Sequence, residues 1–281
     1  MDVALAKTFL AVMDTGSFVH AAERLHVTQS TISSRIKTLE DLLGRSLFDR
    51  SKSGVKLTSA GQHFHKHALA LLRIWEHARV EVKLAEAHRD HLAVGAQPSL
   101  WDGFLLYWLS WLRGNLSDIA VTANSASSVQ LMDRLTEGTL DLAIMYRPNE
   151  RPGLIIEHLF DEELIPVSAS GNIQPPLPDY IFVNWGPEFE ADHALAFSSN
   201  RIAGLTLNLG AIGVSALLAA GGAGYFPART ARAHIEAGRL FEVKGSPRFV
   251  YPIYAVYPED RDEEAYEPIL TSLKKHAADL S

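Results

Sequence analysis

The chain contains no cysteine among its 281 residues. This absence excludes disulfide bonds, thiolate metal sites, a cysteine nucleophile and thiol-based redox sensing. Neither sign of charge dominates, because 26 Lys and Arg stand against 33 Asp and Glu, for a net charge of -7. The chain as a whole is therefore not polybasic, and its composition is that of an ordinary globular protein.

Signals for export and for membrane insertion are also missing. The N-terminus lacks the basic segment and the small-residue cleavage site of a signal peptide, since Asp2 precedes a short apolar run. Residues 202–228 carry no charge and pass the length test for a membrane helix. Their glycines, with Asn208 and Pro227, instead favour a short strand, a helix and a buried strand. We expect a cytoplasmic protein with no membrane partner.

Positive charge is concentrated near the N-terminus. Residues 24–58 carry seven Lys and Arg but only three Asp and Glu, an excess typical of a surface that binds nucleic acid. Apolar spacing predicts a helix over residues 3–14, a second helix capped by Ser17, and a third that begins with Thr28 as its cap and ends at Gly44. The last two helices and their tight turn predict a helix-turn-helix.

The outward face of the third helix is predicted to read DNA in the major groove. Its amide and hydroxyl groups can bond base edges, and its cations can contact phosphates or guanine. The residues of this face are Gln29, Ser30, Thr31, Ser33, Ser34, Arg35 and Lys37. The alternative is the solvated face of a small helical bundle. Such faces usually mix acids with bases, whereas no acid occurs from Gln29 to Thr38.

A short β-hairpin is predicted to follow the third helix and to form a basic wing. Arg50, Lys52 and Lys56 flank or occupy its tip. Cations beside a recognition helix are suited to holding DNA phosphates. These three residues are therefore candidate phosphate contacts.

The segment from Phe9 to Gly61 closely resembles the winged helix-turn-helix of LysR-type transcriptional regulators. The shared features are Ala21-Ala22 before Leu25, Gln29-Ser30, Leu39-Glu40 before Leu43-Gly44, Leu47-Phe48 with Arg50, and Leu57-Thr58 with Ala60-Gly61. Two positions depart from the pattern. Thr31 stands where a small apolar residue is commoner, and Ser53 stands where a second wing arginine often occurs, which weakens the expected phosphate contact. The resemblance implies a regulator of double-stranded promoter DNA, with RNA polymerase as a further candidate partner.

Residues 59–91 are predicted to form a long linker helix. No glycine or proline follows Gly61 in this segment, and apolar residues recur at alternating spacings of four and three, the pattern of a coiled-coil seam. The seam consists of Phe64, Ala68, Leu71, Trp75, Ala78, Val82 and Ala85. We predict a two-fold homodimer, and with it two inverted half-sites on the DNA, while the resemblance adds a homotetramer. The alternative is an amphipathic helix that packs on its own domain.

Histidines are unusually frequent in the same segment, which holds six of the twelve. His63 and His67 are one helical turn apart and could share a metal ion. No third ligand follows in the pattern of a metalloprotease helix, so we interpret them as solvated side chains and predict no metal site.

Beyond the linker, the pattern changes to alternating strands and helices. We predict strands over residues 92–96, 119–123 and 140–145, with helices over 101–113 and 127–137, which is typical of a parallel α/β sheet. Residues 92–281 resemble the two-lobed sensor domain of the LysR family, akin to periplasmic binding proteins. The expected lobes are about 92–163 with 255–281, and about 164–254. The domain boundaries expected for the whole chain are therefore 1–58, 59–91 and 92–281.

The sensor is predicted to bind a small effector between its lobes. Helix N-termini at strand ends offer free backbone N–H groups, which favours an anionic ligand. Ser99, Ser128 and Thr206 are the candidate contacts, with simple helix capping as the alternative for the serines. The glycine-rich run before Pro227 lacks the Lys-Ser/Thr of a phosphate loop, which favours tight packing. We predict no cofactor besides the effector.

Two other functions remain open on the sequence. An enzyme on the α/β domain lacks support, because no nucleophile elbow, zinc helix or Walker loop is present, so we assign no catalytic residue. A DNA-binding or architectural protein that needs no effector is the second alternative. Three segments (99–104, 183–189 and 253–257) are similar to a sub-branch of the LysR family that includes a repressor of the flagellar master operon.

Overall fold

A computed structural model describes residues 2–51, 54–82, 88, 90–171, 177, 179–197, 204–207 and 210–280. Within these ranges, residues 50, 51, 77, 81, 187, 188 and 211 are described by their backbone alone. Lys52, Ser53 and Ala85 lie outside the described residues.

The N-terminal domain, called the reader below, consists of three helices and a β-hairpin. Its elements are α1 (Val3–Thr15), α2 (Phe18–Arg24), α3 (Gln29–Leu43), β1 (Phe48–Ser51) and β2 (Gly54–Leu57). The predicted signals set the helix ends. The Ser17 hydroxyl caps α2, and the Thr28 hydroxyl accepts the Thr31 N–H at 3.2 Å. Gly44 ends α3 in the left-handed conformation with φ of 66°.

The reader has an apolar core into which the start of the linker helix also packs. Phe9 is fully buried, and its ring centroid lies 5.2 Å from that of Phe48 and 5.0 Å from that of Phe64. Phe64 belongs to α4 (Ser59–Glu81), the linker helix. The first half of α4 is therefore part of the reader core.

The linker helix is shorter than predicted. It ends at Glu81, with Val82 as its C-cap, and does not reach residue 91. Asp90 and His91 instead open β3 (Asp90–Ala96), because they pair with Ile119 and Ala120 of the parallel neighbour strand. The prediction of a helix to residue 91 was therefore wrong at its end, since tertiary strand pairing takes the last two residues.

The C-terminal domain, called the sensor below, is built from strands and helices. Its strands are β3, β4 (Ile119–Ser125), β5 (Leu142–Tyr146), β6 (Leu154–Ser168), β7 (Ile181–Val183), β8 (Leu205–Leu207), β9 (Ala223–Pro227), β10 (Phe241–Glu242) and β11 (Phe249–Pro258). Its helices are α5 (Leu106–Asn115), α6 (Ser128–Thr136), α7 (Pro187–Ala196), α8 (Gly210–Ala220), α9 (Ala228–Glu236) and α10 (Glu263–Ala278).

Two long antiparallel strands, β6 and β11, pass through both lobes of the sensor. The second half of β11 pairs with the first half of β6 and with β5, which continues into β3 and β4 as lobe I. The second half of β6 pairs with β9 and β10 in lobe II, where the parallel strands β7 and β8 lie close by. The predicted two-lobed α/β architecture is confirmed.

The connection from β3 to α5 differs from the predicted continuous helix over 101–113. Asp102 is extended with ψ of 136° and Gly103 has φ of 70°, so residues 101–105 form an irregular turn and regular helix begins at Leu106. A positive φ suits glycine because it has no Cβ. In the regular helix that follows, Trp108 is fully buried in the sensor core.

The glycine-rich run before Pro227 packs tightly, as predicted. A Cβ on Gly222 would lie 2.3 Å from the Asp179 carbonyl oxygen, and a Cβ on Gly224 would lie 2.8 Å from that of Ile181. Only glycine permits this approach of β9 to the neighbouring backbone. Among the described residues, no helix is long and apolar enough to cross a membrane.

The reader and the sensor of one chain are in contact. Arg24 at the end of α2 bonds Glu137 at 3.2 Å and lies 3.7 Å from Asp133, both in the α6 region of lobe I. Arg73 of α4 bonds the Asp260 carboxylate at 2.5 Å. The linker helix thus lies between the two domains and contacts both.

Candidate DNA-reading surface and effector cleft

Helix α3 turns a polar face to solvent. Its apolar face is in the reader core, with Ile32, Ile36 and Leu39 fully buried. Gln29, Ser30, Ser34 and Lys37 are exposed, and Thr31 and Ser33 are half-buried. The exposed set can donate and accept hydrogen bonds and carries positive charge, which suits base edges and phosphates.

Arg35 is placed differently from the other predicted DNA contacts. It is half-buried, and its Nη1 lies 3.4 Å from the hydroxyl oxygen of Thr8, a buried residue of α1. Its guanidinium is therefore directed along the α1–α3 contact. Of the basic residues of α3, Lys37 is the one that the structure exposes.

The wing is a two-stranded hairpin, as predicted. Asp49 pairs with Lys56 and Arg50 pairs with Val55 across the strands. Lys56 is exposed, whereas Arg50 is described by its backbone alone and Lys52 lies outside the described residues. Of the three predicted wing cations, Lys56 is thus the one whose side chain the structure describes.

The predicted seam of the linker helix is divided between two environments. Phe64 is 9% exposed and Ala68 is fully buried, both within the reader core. The same chain already covers these two residues, because the start of α4 packs against α1 and the hairpin. Further along, Leu71, Trp75 and Val82 are exposed, and Ala78 is half-buried. Ile74, which the heptad spacing did not select, is 65% exposed.

Ser99 lies at the boundary between the two lobes. It is 8% exposed, and its hydroxyl oxygen lies 3.4 Å from that of Tyr146. A cavity of about 60 Å³ opens beside it. The cavity is lined from lobe I by Ser99 and Asp102 and from lobe II by Trp185, Gly210, Val214, Ser215, Pro227, Thr230 and His234.

The other two predicted effector contacts do not share this cavity. Ser128 is the first residue of α6, and the helix is capped by the preceding Ser127 in a capping box with Gln130. Thr206 is exposed on β8. Of the three predicted hydroxyls, only that of Ser99 therefore lines the inter-lobe cavity among the described residues. The wall on the lobe II side includes residues of α8 and α9.

A buried charged network, which the sequence reasoning missed, lies next to the cavity. The Arg229 side chain is 7% exposed and pairs through Nε with the Glu162 carboxylate, which is 2% exposed. Tyr146 donates its hydroxyl to the same carboxylate. Burial and the Glu162 charge raise the pKa of Tyr146 well above its ordinary value, so its hydroxyl remains a donor.

Two signals in the sequence pointed to this network. Asp161, Glu162 and Glu163 are consecutive in β6, and because side chains alternate along a strand, at least one of three must face inward. Arg229 stands in the first turn of α9, where the helix dipole disfavours a cation. A buried carboxylate and a cation at a helix N-terminus are both unfavourable unless a group of opposite charge lies close by.

Comparison with known proteins agrees with this architecture. A model of the bacterial regulatory helix-turn-helix protein of the lysR family matches residues 4–62, and one of the LysR substrate binding domain matches residues 85–278. The HTH-type transcriptional regulator HdfR of Yersinia enterocolitica is 32% identical over 276 residues, which cover 94% of this chain and 93% of that protein.

Solved structures share the fold over nearly the full length. Full-length LysG from Corynebacterium glutamicum with bound effector Arg has a TM-score of 0.60 at 17% identity and covers 99% of both chains. DarR of Vibrio fischeri in complex with DNA has a TM-score of 0.58 at 19% identity and covers 98% of both chains. With both of its domains matched, the chain belongs to the LysR family of DNA-binding transcriptional regulators with an effector-binding domain.

Proposed function

We propose that the chain binds inverted half-sites in promoter DNA as a homodimer or a higher assembly, and that a small effector between the lobes of the sensor controls this binding. The observation that carries the proposal is the exposed, acid-free face of α3 from Gln29 to Thr38, which lies opposite the fully buried Ile32, Ile36 and Leu39. Its strongest members are Gln29, Ser30, Ser34 and Lys37, which are all exposed.

The roles of the DNA contacts follow from side-chain chemistry. Gln29 suits bidentate bonding to an adenine edge, and the hydroxyls of Ser30 and Ser34 suit a base or a phosphate. Lys37 of α3 and Lys56 of the wing supply positive charge to phosphates. Arg35, which contacts Thr8, has a supporting role in orienting α3 against α1.

A second copy of the chain is the partner that fits the exposed part of α4. Leu71, Ile74, Trp75 and Val82 have exposed fractions of 37%, 65%, 47% and 88%. Large apolar side chains clustered on one helix are usually covered in the working assembly. A two-fold seam there would present two copies of α3 to DNA in inverted orientation.

The effector proposed for the cleft is a small polar molecule. A volume of about 60 Å³ is roughly two water volumes. His234 Nδ1 in its wall is buried and has no hydrogen-bond partner among the described residues, so a donor or acceptor is required there. A larger effector would therefore enter only when the lobes separate.

The DNA assignment is tested by footprinting. A double variant, Gln29→Ala with Ser30→Ala, removes the base contacts without touching the core, and we expect specific protection to be lost while the dimer persists by sedimentation. Each lost base contact costs ~1–3 kcal/mol of discrimination. The matched control is Gln62→Ala, an exposed glutamine of α4 outside the proposed interface with DNA. A footprint unchanged in the double variant would refute the assignment of α3.

A further inference from the structure

Arg229 is held by three acceptors from two separate parts of the sensor. Its Nε donates to Glu162 in β6, its Nη1 donates to the carbonyl oxygen of Asp102, and its Nη2 donates to the carbonyl oxygen of Ser99 at 2.6 Å. Asp102 and Ser99 belong to the β3–α5 connection of lobe I, whereas Arg229 belongs to α9 of lobe II. Two of the guanidinium nitrogens, Nη1 and Nη2, thus bond carbonyl groups of the other lobe, and Nε bonds Glu162 of β6, the strand that passes through both lobes.

The acceptors are positioned by contacts of their own. Glu162 accepts a hydrogen bond from the Tyr146 hydroxyl, and the Tyr146 backbone N–H is bound by the Gln97 side chain at 2.8 Å. The extended Asp102 and the left-handed Gly103 set the direction of the Asp102 carbonyl. The planar guanidinium of Arg229 therefore faces a set of acceptors that other residues hold in place.

The burial of this pair separates it from ordinary surface pairs. The Arg229 side chain is 7% exposed and that of Glu162 is 2% exposed. Arg248 also bonds two carboxylates, Glu163 and Glu242, but its side chain is 47% exposed. Water reaches the Arg248 side chain far more readily than that of Arg229. The buried Glu162 carboxylate is therefore costly to leave unpaired.

We propose that these acceptors form a guanidinium-binding site between the lobes, that Arg229 fills it from within the chain, and that its filling holds the lobes together without an external ligand. The chemical class that the site accepts is a guanidinium or a short alkylguanidinium. Removing the Arg229 side chain would open the site to a free ion of this class. The consequence for DNA binding rests on the proposed function, whereas the binding site itself does not.

The test uses the full chain with Arg229→Ala, titrated with guanidinium chloride and with methylguanidinium chloride by calorimetry. Sodium chloride at equal ionic strength is the reference. We expect saturable binding at one site per chain with a dissociation constant on the order of 1 mM, within reach of a four-atom ligand. The thermal midpoint of the variant should rise over the same concentrations. At a few millimolar the denaturing effect of guanidinium is negligible, because that effect scales with molar concentration.

Wild-type protein and Arg248→Ala are the matched controls, and we expect both to bind guanidinium at least ~10-fold more weakly than Arg229→Ala. Equal binding by Arg248→Ala, or no saturable binding by a folded Arg229→Ala, would overturn the proposal. If Arg229→Ala does not fold, side-chain hydrogen exchange of the wild-type arginines decides. Protected Arg229 N–H groups beside rapidly exchanging Arg248 groups would support the site, and equally rapid exchange would overturn it.

Footprinting of Arg229→Ala with and without methylguanidinium then separates this proposal from the proposed function. A footprint that changes when the ion binds would support the lobe-holding role, and a footprint indifferent to a bound ion would overturn that role. Failure of the wild-type chain to protect any promoter DNA would refute the proposed function and leave the calorimetric result standing.

Discussion

The reader places its charged groups on its surface, whereas the sensor encloses charged groups in its interior. Among the described residues, the buried carboxylates are Asp141 and Glu162, both in the sensor, and the buried polar residues of the reader and linker are Thr8 and His65. A DNA reader acts through an outer face and needs only an inert core behind it. A sensor acts through an internal boundary, so its polar groups must be inside.

This difference changes what holds each domain together. An apolar core is stabilised by burial and tolerates small shifts in geometry, since the hydrophobic effect is not directional. A buried ion pair is stabilising only while its geometry is kept, because a lost partner leaves an uncompensated charge. In the sensor, therefore, a small change in the geometry of one contact is enough to alter the stability of a conformation.

The largest expected effect comes from Glu162→Gln. The substitution leaves the buried guanidinium of Arg229 without its counter-charge, and breaking a buried pair costs ~3–5 kcal/mol. We expect the midpoint of urea unfolding of the sensor to fall accordingly. The matched change in the reader is Thr8→Val, which removes a buried hydroxyl bonded to Ala4 and Arg35 and should cost only about 1 kcal/mol. Equal losses in the two variants would contradict the contrast between the domains.

A comparable effect on stability, and a smaller one on self-association, are expected where the linker helix changes environment. Phe64→Ala opens a cavity against Phe9 and should destabilise the reader by ~3–5 kcal/mol with little change in the dimer constant of the folded protein. Trp75→Ala, on the exposed part of α4, should weaken self-association at least ~10-fold while the unfolding midpoint of the dilute chain stays nearly unchanged. Sedimentation equilibrium and thermal unfolding measure both. A weakened dimer in both variants, at unchanged stability, would restore Phe64 to the seam.

The smallest effect is the pH dependence that one histidine contributes to each domain. Burial lowers the pKa of His65 in the linker and of His193 in lobe II. The unfolded chain therefore binds a proton more readily, so stability is lost as the pH falls from the ordinary value of 6.5 through the lowered folded pKa. His193 Nε2 also shares a hydrogen bond of 2.8 Å with the Tyr180 hydroxyl, in which a protonated ring can serve only as the donor.

Unfolding of the wild type, His65→Gln and His193→Gln between pH 7.5 and pH 5 measures this dependence. Each variant should flatten the pH profile of its own domain only. A wild-type slope retained by both variants would show that other groups carry it.

Much of the reader follows from local sequence signals. Ser17, Thr28, Gly16 and Gly44 mark its helix ends, because capping and left-handed glycine are properties of a few neighbouring residues. The face of α3 follows equally from helical spacing. The linker helix shows where such reasoning fails, because Phe64 and Trp75 obey the same spacing and yet only Phe64 is covered by the reader.

The effector cleft was only partly predictable. Ser99 was found from its position after a parallel strand, where ligand sites commonly occur. Ser128 and Thr206 were selected by the same reasoning and do not line the cavity. Residues of α8 and α9 do, since the lobe-to-lobe arrangement sets which helix faces which loop.

The sequence by itself determined the helix-turn-helix, its polar face, the α/β character of the sensor and membership of the LysR family, because each is expressed in short-range spacing or in a continuous match of residues. Tertiary structure alone decided that Arg229 meets Glu162, Asp102 and Ser99, which lie 67, 127 and 130 positions away along the chain. No local preference records contacts over such separations. They exist because two lobes fold against each other and enclose a charge that must be paired.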